Sequence, residues 1–155
     1  MKMTEKQFKI AHFLQGRDGK GLNAAKSVLV DGMSQAEAGR KHGVSRQMVF
    51  SCMDRLIENY LKALRIKELF EIALADGAEP TAAQKYEIQL QIANNKESKR
   101  RKAVHDVMLL GVTPRKAAKT YDVYASDITL GIEQANERYN KAIEVKNMFN
   151  NILED

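Results

Sequence analysis

The sequence predicts an all-α fold built from two tandem helix-turn-helix units joined by long helices. Helix-forming Ala, Leu, Lys, Glu, Gln, Met and Arg dominate, and only two prolines and nine glycines interrupt the 155 residues. Runs alternating apolar and β-branched residues, which would mark strands, are missing. The caps and turns of the first half also recur in the second, Gly32 as Gly111, a shift of 79 (111 − 32).

The first helix is expected from Thr4 to about Leu14. Thr4 with Gln7 three residues on reads as a capping box, and Phe8, Ile10, Ala11, Phe13 and Leu14 supply an apolar face. The stretch Gly16-Arg17-Asp18-Gly19-Lys20-Gly21 breaks the pattern. A second helix should span about Leu22 to Val30 and end at Asp31-Gly32, with Gly32 in the left-handed region. Ser34 with Glu37 opens a third, which stops near His42-Gly43. Ser45 caps a fourth that runs through Tyr60 to about Leu74.

Asp76-Gly77-Ala78-Glu79-Pro80 is the clearest internal break and divides residues 1–75 from residues 81–155. Thr81 with Gln84 caps the next helix, which either continues through the polar run Asn94–Lys102 to Leu110 or breaks there. In Gly111-Val112-Thr113-Pro114, a proline follows a threonine cap, a favoured helix start. That short helix should reach Tyr121. The last, from about Ser126, carries Ile128, Ile132, Ala135, Tyr139, Ile143 and Met148 near helical spacing and should fray over its Asn/Glu/Asp-rich end.

Ser34–Arg55 holds the pattern that carries function. Ala38 is small where two helices would cross, Gly43 suits a left-handed turn residue, Val44 plugs the core, and Ser45 caps the second helix. Val49, Met53, Leu56, Ile57 and Tyr60 then share one face. The other face carries Arg46, Gln47, Phe50, Ser51 and Asp54. A helix start bearing Arg and Gln suits base edges in the major groove, so Ser45, Arg46, Gln47, Phe50 and Ser51 are candidate base readers. Gln35, Arg40, Lys41 and Arg55 are candidates to hold phosphates. A plain helical hairpin with a solvated start is the competing reading. The balance of 25 basic against 20 acidic residues, net +5, fits a polyanionic partner such as double-stranded DNA.

The shift of 79 places Ala38 on Ala117, Val44 on Val123, Val49 on Ile128 and Tyr60 on Tyr139, but it does not preserve the reading face. Arg46, Gln47, Phe50, Ser51 and Asp54 become Ala125, Ser126, Thr129, Leu130 and Glu133. The second copy is therefore expected to be degenerate, reading DNA poorly or contacting a host protein. Basic residues of this half stand elsewhere. Lys99, Arg100, Arg101, Lys102, Arg115, Lys116 and Lys119 are candidates for secondary phosphate contacts, although the Lys99–Lys102 run equally suits a solvated helix face.

No cofactor, metal or catalytic constellation is expected. His12, His42 and His105 are far apart and lack metal-ligand spacing, and Cys52 reads as a small core residue. A lone cysteine fits a reducing compartment, and neither a signal-peptide core nor a membrane-length apolar run is present. Localisation in the cytoplasm of a bacterial host, without a membrane partner, is the expectation.

Several segments resemble the KorA/TrfB family of plasmid repressors: Met3-Thr4-Glu5-Lys6-Gln7-Phe8, Val28-Leu29-Val30-Asp31-Gly32, Gln35-Ala36, and Arg46 followed by Val49 and Arg55. The likeness covers about the first 60 residues and extends to PapB-type fimbrial regulators. It implies a dimeric repressor that sets its second motif helix in the major groove of a palindromic operator, with Arg46 and Gln35 matching the family's arginine and glutamine. The family has a glutamine base reader where this chain has Ser51, and its C-terminal dimerisation segment is replaced here by the second motif. A homodimer and a pseudo-twofold monomer both follow from the residues.

Overall fold

The computed structural model describes residues 1–94 and 96–151. These residues form eight α-helices and no strand: α1 (Glu5–Gln15), α2 (Lys20–Leu29), α3 (Gln35–His42), α4 (Arg46–Ala73), α5 (Ala82–Leu90), α6 (Lys99–Leu110), α7 (Pro114–Tyr121) and α8 (Ala125–Asn151). The expected all-α class is borne out. No described helix is long and apolar enough to cross a membrane.

Local chemistry sets most helix ends. Thr4, Ser34 and Thr81 each accept a hydrogen bond from the backbone N–H three residues on, and the side chains of Gln7, Glu37 and Gln84 accept one from the cap's own backbone N–H, completing three capping boxes. α2 closes at Leu29 with Val30 still in helical conformation; the chain then turns through Gly32 at φ +78°, and Met33 N–H donates to the Ser27 carbonyl at 3.0 Å. The polar run after α5 breaks the helix, so of the two courses open from the sequence the chain takes the second. α5 stops at Leu90, and Ser98 caps α6 by accepting from Arg101 N–H at 3.1 Å. Asn and Ser compete for backbone groups and so favour such a stop.

The chain divides into two compact units, and the division falls inside α4. The first holds residues 1–65 and the described residues from Met148 on. Ala24, Ala38 and Val49 are fully buried there, with Val28, Met33, Val44 and Met53 packed around them. Alanines at the crossing let α2, α3 and α4 approach closely. Gly39 serves the same end: a Cβ on it would lie 2.9 Å from the Val44 carbonyl oxygen, so only glycine lets the turn fold back onto α3. Gly43, at φ +66°, turns the chain, and Val44 N–H donates to the Gly39 carbonyl at 3.0 Å. The Tyr60 and Phe149 rings meet in this unit at 6.5 Å.

The second unit holds residues 66–147. Its core gathers Tyr86, Ala103, Val104, Ala117 and Ile128. The Phe70 and Tyr139 rings meet at 5.9 Å. On α8 the buried stripe is Ile128, Gly131, Ala135, Ala142 and Val145. Ile132, Tyr139, Ile143 and Met148, expected on that stripe, are only half-buried, because the buried seam lies beside them along the 27-residue helix. The end of α8 expected to fray, residues 152–155, lies outside the described residues.

Candidate nucleic-acid interface

The start of α4 is a capped helix end facing solvent. The Ser45 hydroxyl accepts from Met48 N–H at 3.1 Å, so this side chain holds the helix start even though the residue is exposed. Arg46, Gln47 and Phe50 follow it in the open, with Phe50 56% exposed. A large ring left that accessible in the first turns of a helix offers more than half of its surface to a partner. Ser51 is half-buried on the flank. Val49, one position before Phe50, is fully buried and anchors the helix from beneath.

Gln35, Arg46, Gln47 and Phe50 together line a shallow groove of about 440 Å³. The groove joins the start of α3 to the start of α4. Arg46 Nε donates to Gln35 Oε1 at 3.5 Å, the long end of a hydrogen bond, which steers the guanidinium without occupying its other donors. Arg40 and Lys41 are exposed in the last turn of α3, and Arg55 is exposed on α4. The Glu37 carboxyl is held below its ordinary pKa, first by the Ser34 hydroxyl, then by the Ser34 backbone N–H, with Arg40 adding a smaller pull. It is committed to the cap and stays ionised beside the basic groups.

The basic residues of the second half divide. Lys99, Lys102, Arg115, Lys116 and Lys119 are exposed. Arg100 and Arg101 are turned partly inward, bonded to Gln134 and to Asn94 respectively. The sequence signal for this lay in register: Arg100 stands three and four residues before the buried Ala103 and Val104, on the same helix face. Arg138 and Gln89, which join them, had not been singled out. Arg138 Nε donates to Gln89 Oε1 at 2.8 Å across 49 residues of sequence, a separation that no local pattern reports.

The remaining candidates sit in ordinary surroundings. His12 lies 3.0 Å from Asp18, His42 shares a 3.0 Å contact with the Ser27 hydroxyl, and His105 lies 3.0 Å from Asp106. Cys52 is half-buried rather than fully in the core, and its Sγ fills the space where a Cβ on Gly21 would stand.

A short helix, a tight turn and a second helix opening on a capped, exposed, arginine-bearing end is the arrangement by which helix-turn-helix DNA-binding regulators enter the major groove. Residues 3–75 match the family described as the TrfB plasmid transcriptional repressor, KorA. The match runs from α1 to the end of α4, so the likeness read in the first 60 residues extends along the whole long helix. No curated protein and no solved structure matches the chain.

Proposed function

We propose that the protein is a sequence-specific repressor of plasmid or phage type, acting in a bacterial cytoplasm, that reads double-stranded DNA with the first turns of α4. The observation that carries this reading is the Gln35–Arg46–Gln47–Phe50 groove, exposed at a helix start inside the segment that matches the repressor family. Arg46 and Gln47 reach base edges, Arg46 by a two-pronged contact to guanine. Phe50 offers an apolar face to a thymine methyl, Ser51 lines the flank, and Ser45 holds the helix end. Gln35, Arg40, Lys41 and Arg55 set the helix on the phosphates. Repression is steric: the bound protein occupies the site that polymerase needs.

A random-library selection with the wild type and the Arg46→Ala/Gln47→Ala double variant tests this. An enriched sequence that vanishes in the variant is the expected result, with a loss of about 1–3 kcal/mol for each base contact removed. No enrichment, or the same enrichment in both proteins, overturns it. The symmetry of the motif counts the readers: a palindrome requires two copies of the first motif and hence a homodimer, and a single half-site one reader per chain.

One observation favours protein contact for the second half. Tyr124, just ahead of α8, is 79% exposed and Leu130 on α8 45%, at positions that correspond to Ser45 and Ser51, with Glu133 exposed as well. An apolar and acidic face suits a host protein better than a phosphate backbone. A Leu130→Ser variant that keeps DNA binding but loses such a partner would separate the two roles.

A further inference from the structure

The second unit contains a cavity of about 230 Å³ between α6 and α8, reached from the chain ahead of α6. Arg100, Arg101 and Arg138 line it with Lys96, and no lining residue is acidic. The acceptors that orient the arginines are neutral: Gln134 for Arg100, Asn94 for Arg101 and Gln89 for Arg138. Gln89 is itself 2% exposed. Neutral partners fix a guanidinium in place without cancelling its charge, and each guanidinium retains further N–H donors.

Three like charges held together in a half-buried place repel one another. Burial, then Arg101, then more weakly Arg100 loosen Arg138's hold on its proton, and Tyr86 and Glu137 act in the opposite sense. Such an arrangement suits a ligand that supplies the missing negative charge. Arginine forks match the paired oxygens of phosphate.

The first half does not repeat the arginines that line this cavity. Under the shift of 79, Arg100, Arg101, Gly131 and Arg138 correspond to Gly21, Leu22, Cys52 and Asn59. Where the first unit buries Leu22, the second places an arginine. The small residue at the helix crossing has also changed sides. In the first unit glycine is on α2 and Cys52 on α4 fills the gap; in the second, glycine is on α8 and Arg100 of α6 lies over it, its Nε 3.2 Å from the place of a Gly131 Cβ. The atom nearest that place is Val104 Cγ2 at 2.5 Å, so glycine at 131 lets α8 close on Val104 with Arg100 beside it.

We propose that this cavity binds a phosphorylated small molecule, with Arg100, Arg101 and Arg138 gripping the phosphate and Gln89, Gln134 and Asn94 holding the three forks in position. A volume of 230 Å³ equals several water molecules at about 30 Å³ each, enough for a phosphate and part of the group that carries it. The site is separate from the α4 groove and does not depend on it.

Thermal unfolding of the full chain, followed by far-UV circular dichroism at fixed ionic strength, tests the proposal with inorganic pyrophosphate and adenosine monophosphate as probes. A saturable rise in melting temperature is expected with at least one of them. Arg100→Gln/Arg101→Gln should weaken the response at least tenfold, whereas Lys99→Gln/Lys102→Gln, which removes two exposed charges from the same helix, should keep it. Arg101→Lys, which retains charge but not the fork, guards against a variant that fails to fold and should also weaken binding. Absence of a saturable rise, persistence of the rise in the double arginine variant, or equal loss in the lysine variant overturns the proposal. So does a finding that duplex DNA alone engages the arginines, seen as a shallower salt dependence of DNA binding in Arg100→Gln/Arg101→Gln with no competition from pyrophosphate.

Discussion

In the first half of the chain, Ser27 of α2 and His42 of α3 meet at 3.0 Å; in the second, Asp106 of α6 and Tyr121 of α7 meet at 2.6 Å. These are the same positions, 79 apart, filled with different chemistry. The long helices show the same relation. Gly43 and Asp122 both adopt the left-handed turn conformation, the second without a glycine, which aspartate tolerates better than most residues. Ser45 caps α4 through its side chain, but its counterpart Tyr124 can offer only its backbone carbonyl, which accepts from Asp127 and Ile128. The turns keep their conformation while the side chains around them differ. Exposed positions such as Arg46 and Gln47, which become Ala125 and Ser126, differ as well, and exchange there costs the core little.

The ring pairs give the largest test of this correspondence. The shift that maps Tyr60 onto Tyr139 also maps Phe70 onto Phe149, and the contacts observed are Tyr60 with Phe149 and Tyr139 with Phe70. Phe70 is 2% exposed and Phe149 half-buried. Phe70→Ala should therefore destabilise by about 3–5 kcal/mol and Phe149→Ala by clearly less. Denaturant unfolding measures both, and equal losses would break the asymmetry.

Gly39 and Ala118 offer a sharper contrast at intermediate size. A Cβ at Gly39 meets backbone at 2.9 Å, so Gly39→Ala should cost about 1–3 kcal/mol. Ala118→Gly, the reverse change in the second half, should cost only the helix propensity of about 0.5–1 kcal/mol. Similar values would mean that the two turns are packed alike. At the caps, Ser45→Ala should lose about 1 kcal/mol and Tyr124→Ser gain up to a comparable amount, read as opposite shifts in melting temperature.

The smallest effect concerns acid. The Asp106 carboxyl is held below its ordinary 3.8, first by the Tyr121 hydroxyl and then by His105. A depressed folded-state pKa contributes stability above the unfolded value, and that contribution is lost as pH falls through the folded one, here below about pH 4. Tyr121→Phe should raise the Asp106 titration midpoint, followed by carbon-13 NMR of the carboxyl. An unmoved midpoint would assign the whole depression to His105.

Helix starts and turns were legible because they are local: Thr4, Ser34, Thr81 and Thr113 cap within three residues, and Gly32, Gly43 and Gly111 each turn the chain with positive φ. The exposed Arg46, Gln47 and Phe50 were legible for the same reason, since Val49 fixes the face of α4. What could not be read depends on distant partners. Gln89 and Arg138 look like surface residues until the fold brings them together, and Gly39 looks replaceable until Val44 closes over it. Phe149, near the end of the chain, gives no local sign that its ring belongs with Tyr60.

In an assembly of identical subunits every substitution is made twice, so a residue helpful on one side is imposed on the other. Two segments of one chain that share caps and turns, as residues 32–60 and 111–139 do here, are free of that constraint. Arg100 can stand beside Gly131 while Gly21 stands beside Cys52, and Arg46, Gln47 and Phe50 can differ from Ala125, Ser126 and Thr129. Residues joined in one chain need not change in step, so two segments with like caps and turns can come to bury different groups at corresponding positions.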